Sequence, residues 1–359
     1  MYSISKRGKQ MKNRILVLKL RDILIVSILL LSFIIGLPLL LLKDKDGKVN
    51  QTDESEKATI SIENDSHIVN TDEVKKLYKS MIKVYKTKEN KVVELPIEEY
   101  IKGVVASEMP ANFEEEALKS QAVAARTYTL SKLLHKCSNA KGADLCDTTH
   151  CQVYTDKDKR IESWGKAHGS EYWDKISKAV DETQGETLFY NDGLVLRAQY
   201  FAISGGRTEN IEDVFGSEEP YLKSVSSEGE EIAGKYKTTV EMSINDFINK
   251  VNSAYPKAKL TSKGISSVKI ISRTEGGSVK SMSVGSEETS GKNFRKALGL
   301  NSANFNIKFD SKKVYIECRG YGHGVGMSQW GANVMAKEGK NYKDILTHYY
   351  SGVDIVKIE

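Results

Sequence analysis

Four groups of residues in this sequence have the types and spacing to do chemistry. The first is a single carboxylate, Glu108, in the stretch LPIEEYIKGVVASEMP (95–110), where Ile97, Tyr100, Ile101, Val104 and Val105 recur at helical one-face spacing. Eleven positions after Ile97, at about 100° per residue, Glu108 returns to within about 20° of it and so points with the apolar face. Pro110 holds Met109 out of the helical region and ends the helix there. An acid set against apolar side chains, at the negative end of a helix dipole, loses its charge easily, as a general acid must. A glutamate paired with an arginine would occupy the same inward position, so a structural role stays open.

The second group lies in LLHKCSNAKGADLCDTTHCQVY (133–154), where three of the four cysteines and two of the six histidines fall within 17 residues. Thiolates and imidazoles at short loop spacing can close a tetrahedral zinc site, although this spacing matches no standard zinc finger. A disulfide between two of the thiols is the alternative outside the cytosol. As zinc ligands the reading takes Cys146, Cys151 and His135, with His150 as the alternative histidine. Cys318, in the alternating VYIECRG, is expected to be a core thiol. The third group is the backbone bend Ser204-Gly205-Gly206, and the fourth is RGYGHGVGMSQWGANVMAKEG (319–339). Gly320, Gly322, Gly324 and Gly326 alternate there, which is not the dinucleotide fingerprint, so no phosphate site is expected. Such a loop lets a bulky polymer lie against backbone, with His323 and Gln329 offered as polar contacts.

These groups need elements to hold them. Ile82–Leu95 reads as a hairpin leading into the Glu108 helix. A second helix follows, with Asn112 and Glu115 at capping-box spacing. Its small-residue face (Ala117, Leu118, Ala122, Ala125, Thr129) allows close packing on the first helix, and Gln121 and Arg126 are its polar candidates for a cleft. A helix over 170–183 buries Trp173, Ile176 and Val180. The turn Asn191-Asp192-Gly193 then predicts a β-hairpin from ETLFY and LVLRAQYFA. Residues 224–307 change texture and read as an inserted α+β lobe. The expected fold is α+β: a membrane-anchored, helix-rich catalytic core with β-hairpins and a smaller inserted lobe.

The formal charge of +5 is uneven. Seven of the bases lie before residue 22 with no acid among them; without these and Asp22, 46 bases face 47 acids. The body therefore carries no net basic surface, which argues against nucleic-acid binding. Residues 23–42 are uncharged, about 30 Å as a helix and enough to span a bilayer. The expected order is a cytosolic basic tail (1–21), a transmembrane anchor (22–42), a flexible linker (43–75) and a catalytic domain (76–359) outside the membrane. A cleaved signal is the alternative to an uncleaved anchor.

Taken in order, VVASEMP (104–110), LKSQAVAARTY (118–128), THCQVY (149–154), the Ser204-Gly205-Gly206 bend with EDVFG and PYL (220–222), and GHGVGMSQWGA (322–332) resemble the stage II sporulation protein D (amidase-enhancer) family. The resemblance spans most of residues 80–359. It implies a lytic transglycosylase that cuts peptide-stripped peptidoglycan glycan strands during engulfment in sporulation, with Glu108 as the catalytic acid. It further implies a single-pass protein of the mother-cell membrane, with stage II sporulation proteins P and M as partners. Some members lack the cysteines, so no cofactor is expected for catalysis and any zinc would be structural. Gln121, Arg126, His150, Ser204 and His323 are the candidates for holding the sugar, although Arg126 could instead pair with Glu108. The alternative function is a non-catalytic glycan-binding module that recruits or stimulates a cell-wall amidase.

Overall fold

The computed structural model describes residues 69–358. The basic tail, the anchor and most of the linker lie outside the described residues, among which no helix is long and apolar enough to cross a membrane. The folded body begins earlier than position 76. Asn70 accepts the N–H groups of Asp72 and Glu73 while the Glu73 carboxylate accepts the Asn70 N–H, a complete capping box. Helix α1 (Thr71–Tyr78) therefore starts inside the segment expected to be linker.

The hairpin β1 (Met81–Lys86) and β2 (Lys91–Pro96) pairs antiparallel as expected and runs directly into α2 (Ile97–Glu108), which ends where Pro110 requires. Helix α3 (Glu115–Leu134) is the central element, unbroken in burial from Ser120 to Ser131. It can be buried all round because its hydroxyls bond back to carbonyls one turn earlier: Thr127 Oγ1 to Val123 O and Thr129 Oγ1 to Ala125 O, both at 2.8 Å. Asn112 does not cap it. The Glu114 N–H instead donates to Asn333 Oδ1 at 2.8 Å, a side chain from 219 residues downstream.

Strand β3 (Leu145–Cys146) adds to β1 in parallel. Helices α4 (Lys157–Trp164) and α5 (Gly169–Glu182) follow, α5 burying Trp173, Ile176 and Val180. The predicted hairpin forms only at its tip, between β4 (Glu186–Tyr190) and β5 (Gly193–Leu194), with Asn191 and Asp192 at positive φ. Its second arm does not continue. The chain breaks away, and β6 (Tyr200–Phe201) pairs in parallel with β13 (Met327–Ser328). After β6 comes the short helix α6 (Ile211–Phe215).

A second core then forms around β7 (Lys237–Ser243), α7 (Ile244–Ala254), β8 (Lys269–Arg273), β9 (Val279–Val284), β10 (Glu287–Thr289), α8 (Gly291–Leu298), β11 (Phe305–Phe309) and β12 (Lys313–Arg319). Its sheets run β10-β9-β8 and β11-β12-β7. Strand β12 thus belongs to this lobe, which extends past residue 307, and Cys318 is fully buried in it. The chain returns through β13 to α9 (Gln329–Lys337), α10 (Tyr342–Tyr349) and β14 (Asp354–Lys357), which pairs with β4.

Candidate active site

Glu108 is the last residue of α2 and is half-buried. Its Oε1 accepts the Val153 N–H at 2.8 Å, and its Oε2 accepts a bond from Gln329 Nε2 at 3.4 Å. Burial raises its pKa above the ordinary carboxylate value, partly offset by those two bonds. Among the described residues no charged group contributes to the shift.

The segment that presents Val153 is clamped from both sides. Gln152, buried, is held on every side: Nε2 donates to Tyr200 Oη (3.0 Å) and Ala125 O (3.2 Å), and Oε1 accepts from Tyr100 Oη (3.3 Å) and shares the Thr129 hydroxyl proton (3.0 Å) with Ala125 O. The Tyr154 ring stacks on Tyr100 at 5.1 Å. This approach depends on Gly103, where any Cβ would collide with the Tyr154 ring. Burial pushes the hydroxyl pKa values of Tyr100, Tyr128 and Tyr200 well above the usual tyrosine range, so these hydroxyls keep their protons.

On the other flank, Gln329 Nε2 also donates to Gln121 Oε1 at 3.3 Å. Gln121 is fully buried and orients Gln329 rather than facing a cleft itself. Gln329 is aimed by α9, whose first turn is capped by Ser328; that hydroxyl donates to Glu230 Oε2 at 2.7 Å. Glu230 is buried and also accepts from Ser227 Oγ (2.6 Å) and the Ser204 N–H (2.8 Å). Burial raises its pKa to about 7.

Besides Gln121, the sequence candidates Arg126, Ser204 and His150 take roles other than sugar binding. Arg126 is fully buried, with Nε and Nη2 on the two oxygens of Glu98 (2.7 and 2.8 Å) and further bonds to the carbonyls of Glu186 and Val180. It neither lines a cleft nor pairs with Glu108. Ser204 is buried too, its Oγ accepting the Gly206 N–H at 3.2 Å as part of the bend. The Nδ1 of His150 faces sulfur rather than open space. His323 accepts the Val325 N–H on Nδ1 at 3.1 Å and lies between Phe201 and Phe215, with ring centroids 5.7 and 5.4 Å away. Burial, helped by Arg295, lowers its pKa to about 4, so it is neutral at physiological pH.

The cysteine-rich loop gathers Cys137, Cys146, His150 and Cys151, whose ligand atoms all lie within 4.8 Å of one another. His150 Nδ1 is 3.3, 3.9 and 3.6 Å from the sulfurs of Cys137, Cys146 and Cys151. His135, chosen from the sequence, is the exposed C-terminal cap of α3 and stands outside this cluster; Cys137, whose N–H donates to Asp144 O at 3.0 Å, and His150 complete it instead. No pair of cysteines is bonded. Three thiols around one imidazole are a donor set suited to a tetrahedral zinc ion. The cluster ends one residue before Gln152, so it also anchors the segment that delivers the Val153 N–H to Glu108. Sequence reasoning missed Gln152, Val153 and Tyr200 as parts of this site; their only signal was membership of the same short motif or the neighbouring strand.

The family model described as stage II sporulation protein matches residues 85–190. The chain is 42% identical over 277 residues to stage II sporulation protein D of Bacillus subtilis (strain 168), covering 76% of this chain and 78% of that one. It is 39% identical over 276 residues to the protein of the same name from Bacillus amyloliquefaciens, with the same coverage. It is 30% identical over 304 residues to the amidase enhancer of B. subtilis, covering 71% of this chain and 40% of that protein. At 42% identity over 76% of its length, the chain belongs to the stage II sporulation protein D family.

Proposed function

We propose that this chain is a peptidoglycan lytic transglycosylase with Glu108 as its one acid and base. The observation that carries the reading is a carboxyl whose pKa is raised by burial and by no neighbouring acid among the described residues. Most hydrolytic glycosidases pair their acid with a second carboxylate about 5–10 Å away as nucleophile or base, and no such charge is among the causes of the Glu108 shift. A lytic transglycosylase takes its nucleophile from the substrate. Protonated Glu108 gives its proton to the glycosidic oxygen between N-acetylmuramic acid and N-acetylglucosamine as the C1–O bond breaks. The muramic acid C6 hydroxyl then bonds to C1 and returns its proton to Glu108, which closes the 1,6-anhydro ring without consuming water. The Val153 N–H and the Gln329 amide hold the carboxylate in position through both transfers.

The Cys137/Cys146/His150/Cys151 cluster would hold zinc, which would brace the loop rather than take part in the chemistry. The setting we propose is the mother-cell membrane, with residues 22–42 as anchor, the body outside, and stage II sporulation proteins P and M as partners in engulfment. A second reading, a glycan-binding module that stimulates an amidase, is favoured by the name of the 30% identical relative. Cleavage of peptide-free strands in ¹⁸O-water separates the readings. The enzyme predicts new anhydro ends without ¹⁸O. Strands bound but uncut support the module, and ¹⁸O in the new ends would make the protein a hydrolase.

A further inference from the structure

Beside the GHGVG loop, two large rings stand in solvent: Phe215, at the end of α6, is 37% exposed and Tyr321 is 36% exposed. His323, half-buried, lies behind them, 5.4 Å from Phe215 between ring centroids. Three cations surround these rings. Lys292 Nζ lies 5.7 Å from the Phe215 centroid, and Lys235 Nζ lies 5.1 Å from that of Tyr321. Arg295 is one turn beyond Lys292 on α8, its Nε on Leu300 O at 3.2 Å, close enough for its charge to act on both His323 and Tyr321. Among the described residues Lys235, Lys292 and Arg295 have no carboxylate within ion-pair distance, whereas the lysines that face α6 do. The acids of α6 are already engaged: Asp213 with Lys280 at 2.8 Å and Glu212 with Lys223 at 3.3 Å.

We infer that Lys235, Lys292 and Arg295, set around Phe215, Tyr321 and His323, form a subsite for a sugar bearing a free carboxylate. Partly exposed rings suit the C–H face of a pyranose, and cations that lie over them without a carboxylate partner among the described residues suit an acid. The assignment rests on the glycan-cleaving reading and deepens it. In peptidoglycan the lactyl carboxyl of N-acetylmuramic acid is an uncharged amide while its peptide is attached, and becomes an anion when the peptide is removed. The patch would therefore read the stripped state of the strand. It lies near enough to serve the same strand as Glu108, since His323 precedes Gln329 by six residues, a span of at most roughly 20 Å.

The test uses the full chain carrying Glu108→Gln, so that strands stay intact, and measures binding of two probes. One is end-labelled peptide-free glycan strand; the other is the same strand with its carboxylates converted to methylamides. The expected result is about tenfold tighter binding of the free-carboxylate strand, shrinking towards parity at about 0.5 M salt. Lys235→Gln/Lys292→Gln should lose most of that preference while binding the methylamide strand within about twofold of the parent. These two side chains leave no buried partner unpaired, so the pair folds; adding Arg295→Gln should abolish what preference remains, and Arg295→Lys should keep it. Equal binding of the two probes by the parent, or a preference that survives in Lys235→Gln/Lys292→Gln, overturns the subsite. If strands are still cut by the unsubstituted chain, the glycan-cleaving reading outlives that result; if neither probe binds and none is cut, both fall together.

Discussion

Arg126 offers a quantitative separation of structural from functional roles. The sequence places it beside the candidate cleft, but the fold seals it under the helices with two bonds to the Glu98 carboxylate and two to backbone carbonyls. Arg126→Met keeps the aliphatic bulk and removes the fork, which leaves Glu98 and the carbonyls of Glu186 and Val180 without it. Deleting one partner of a buried ion pair costs about 3–5 kcal/mol. The Glu98 side chain is 17% exposed and keeps its bond from Tyr78 Oη at 2.7 Å, so the lower end applies. For the roughly 290 residues of the described body, an unfolding entropy near 2.1 cal/mol/K per residue turns about 3 kcal/mol into a Tm lowered by about 5 °C. Arg126→Lys keeps the charge without the bidentate geometry and should fall between the two. Thermal unfolding followed by circular dichroism gives the shift; strand cleavage at 25 °C, below both transitions, should show KM within about twofold of the parent. A variant that melts like the parent yet raises KM tenfold would return Arg126 to the cleft and refute the structural assignment.

Three further outcomes are expected. Glu230→Gln can keep the bonds from Ser204 N–H and Ser328 on its amide oxygen and should fold and cut nearly as the parent does, whereas Glu230→Ala strands those donors and should cost about 2–4 kcal/mol in denaturant unfolding. Elemental analysis of the purified chain should find close to one zinc per molecule, and Cys137→Ser should lower it sharply while His135→Ala leaves it unchanged; a metal-free protein two hydrogens lighter would mean a disulfide instead. Because Glu108 must be protonated to act and its folded pKa is raised, activity should be full below that pKa and fall as pH rises through it; a rate flat from neutral to alkaline pH would contradict the role.

The Glu108 helix was legible because its signals are local: a 3.6-residue apolar period, a proline at the end, and eleven residues between Ile97 and the acid. The capping box at Asn70 was equally local and shows that a polar stretch can still open a helix. What stayed hidden depends on long-range pairing. The cap of α3 comes from Asn333, which no window around Asn112 contains. The histidine choice turned on how the loop folds back, with the Cys137 N–H on Asp144 O beside Cys146 and His150, while His135 stays at a helix end. Gln329 reaches Glu108 only because β13 pairs with β6. Arg126 reads locally as a cleft residue, since no window around it contains Glu98, 28 residues earlier, which meets it.

The most direct measurement compares the native chain with Glu108→Gln on peptide-free glycan strands, with products identified by mass. The account predicts 1,6-anhydro-muramic ends from the native protein and a loss of at least about 10²-fold in their rate of formation from the variant, with its thermal transition unchanged within about 2 °C. Anhydro ends produced at the native rate by Glu108→Gln would contradict it.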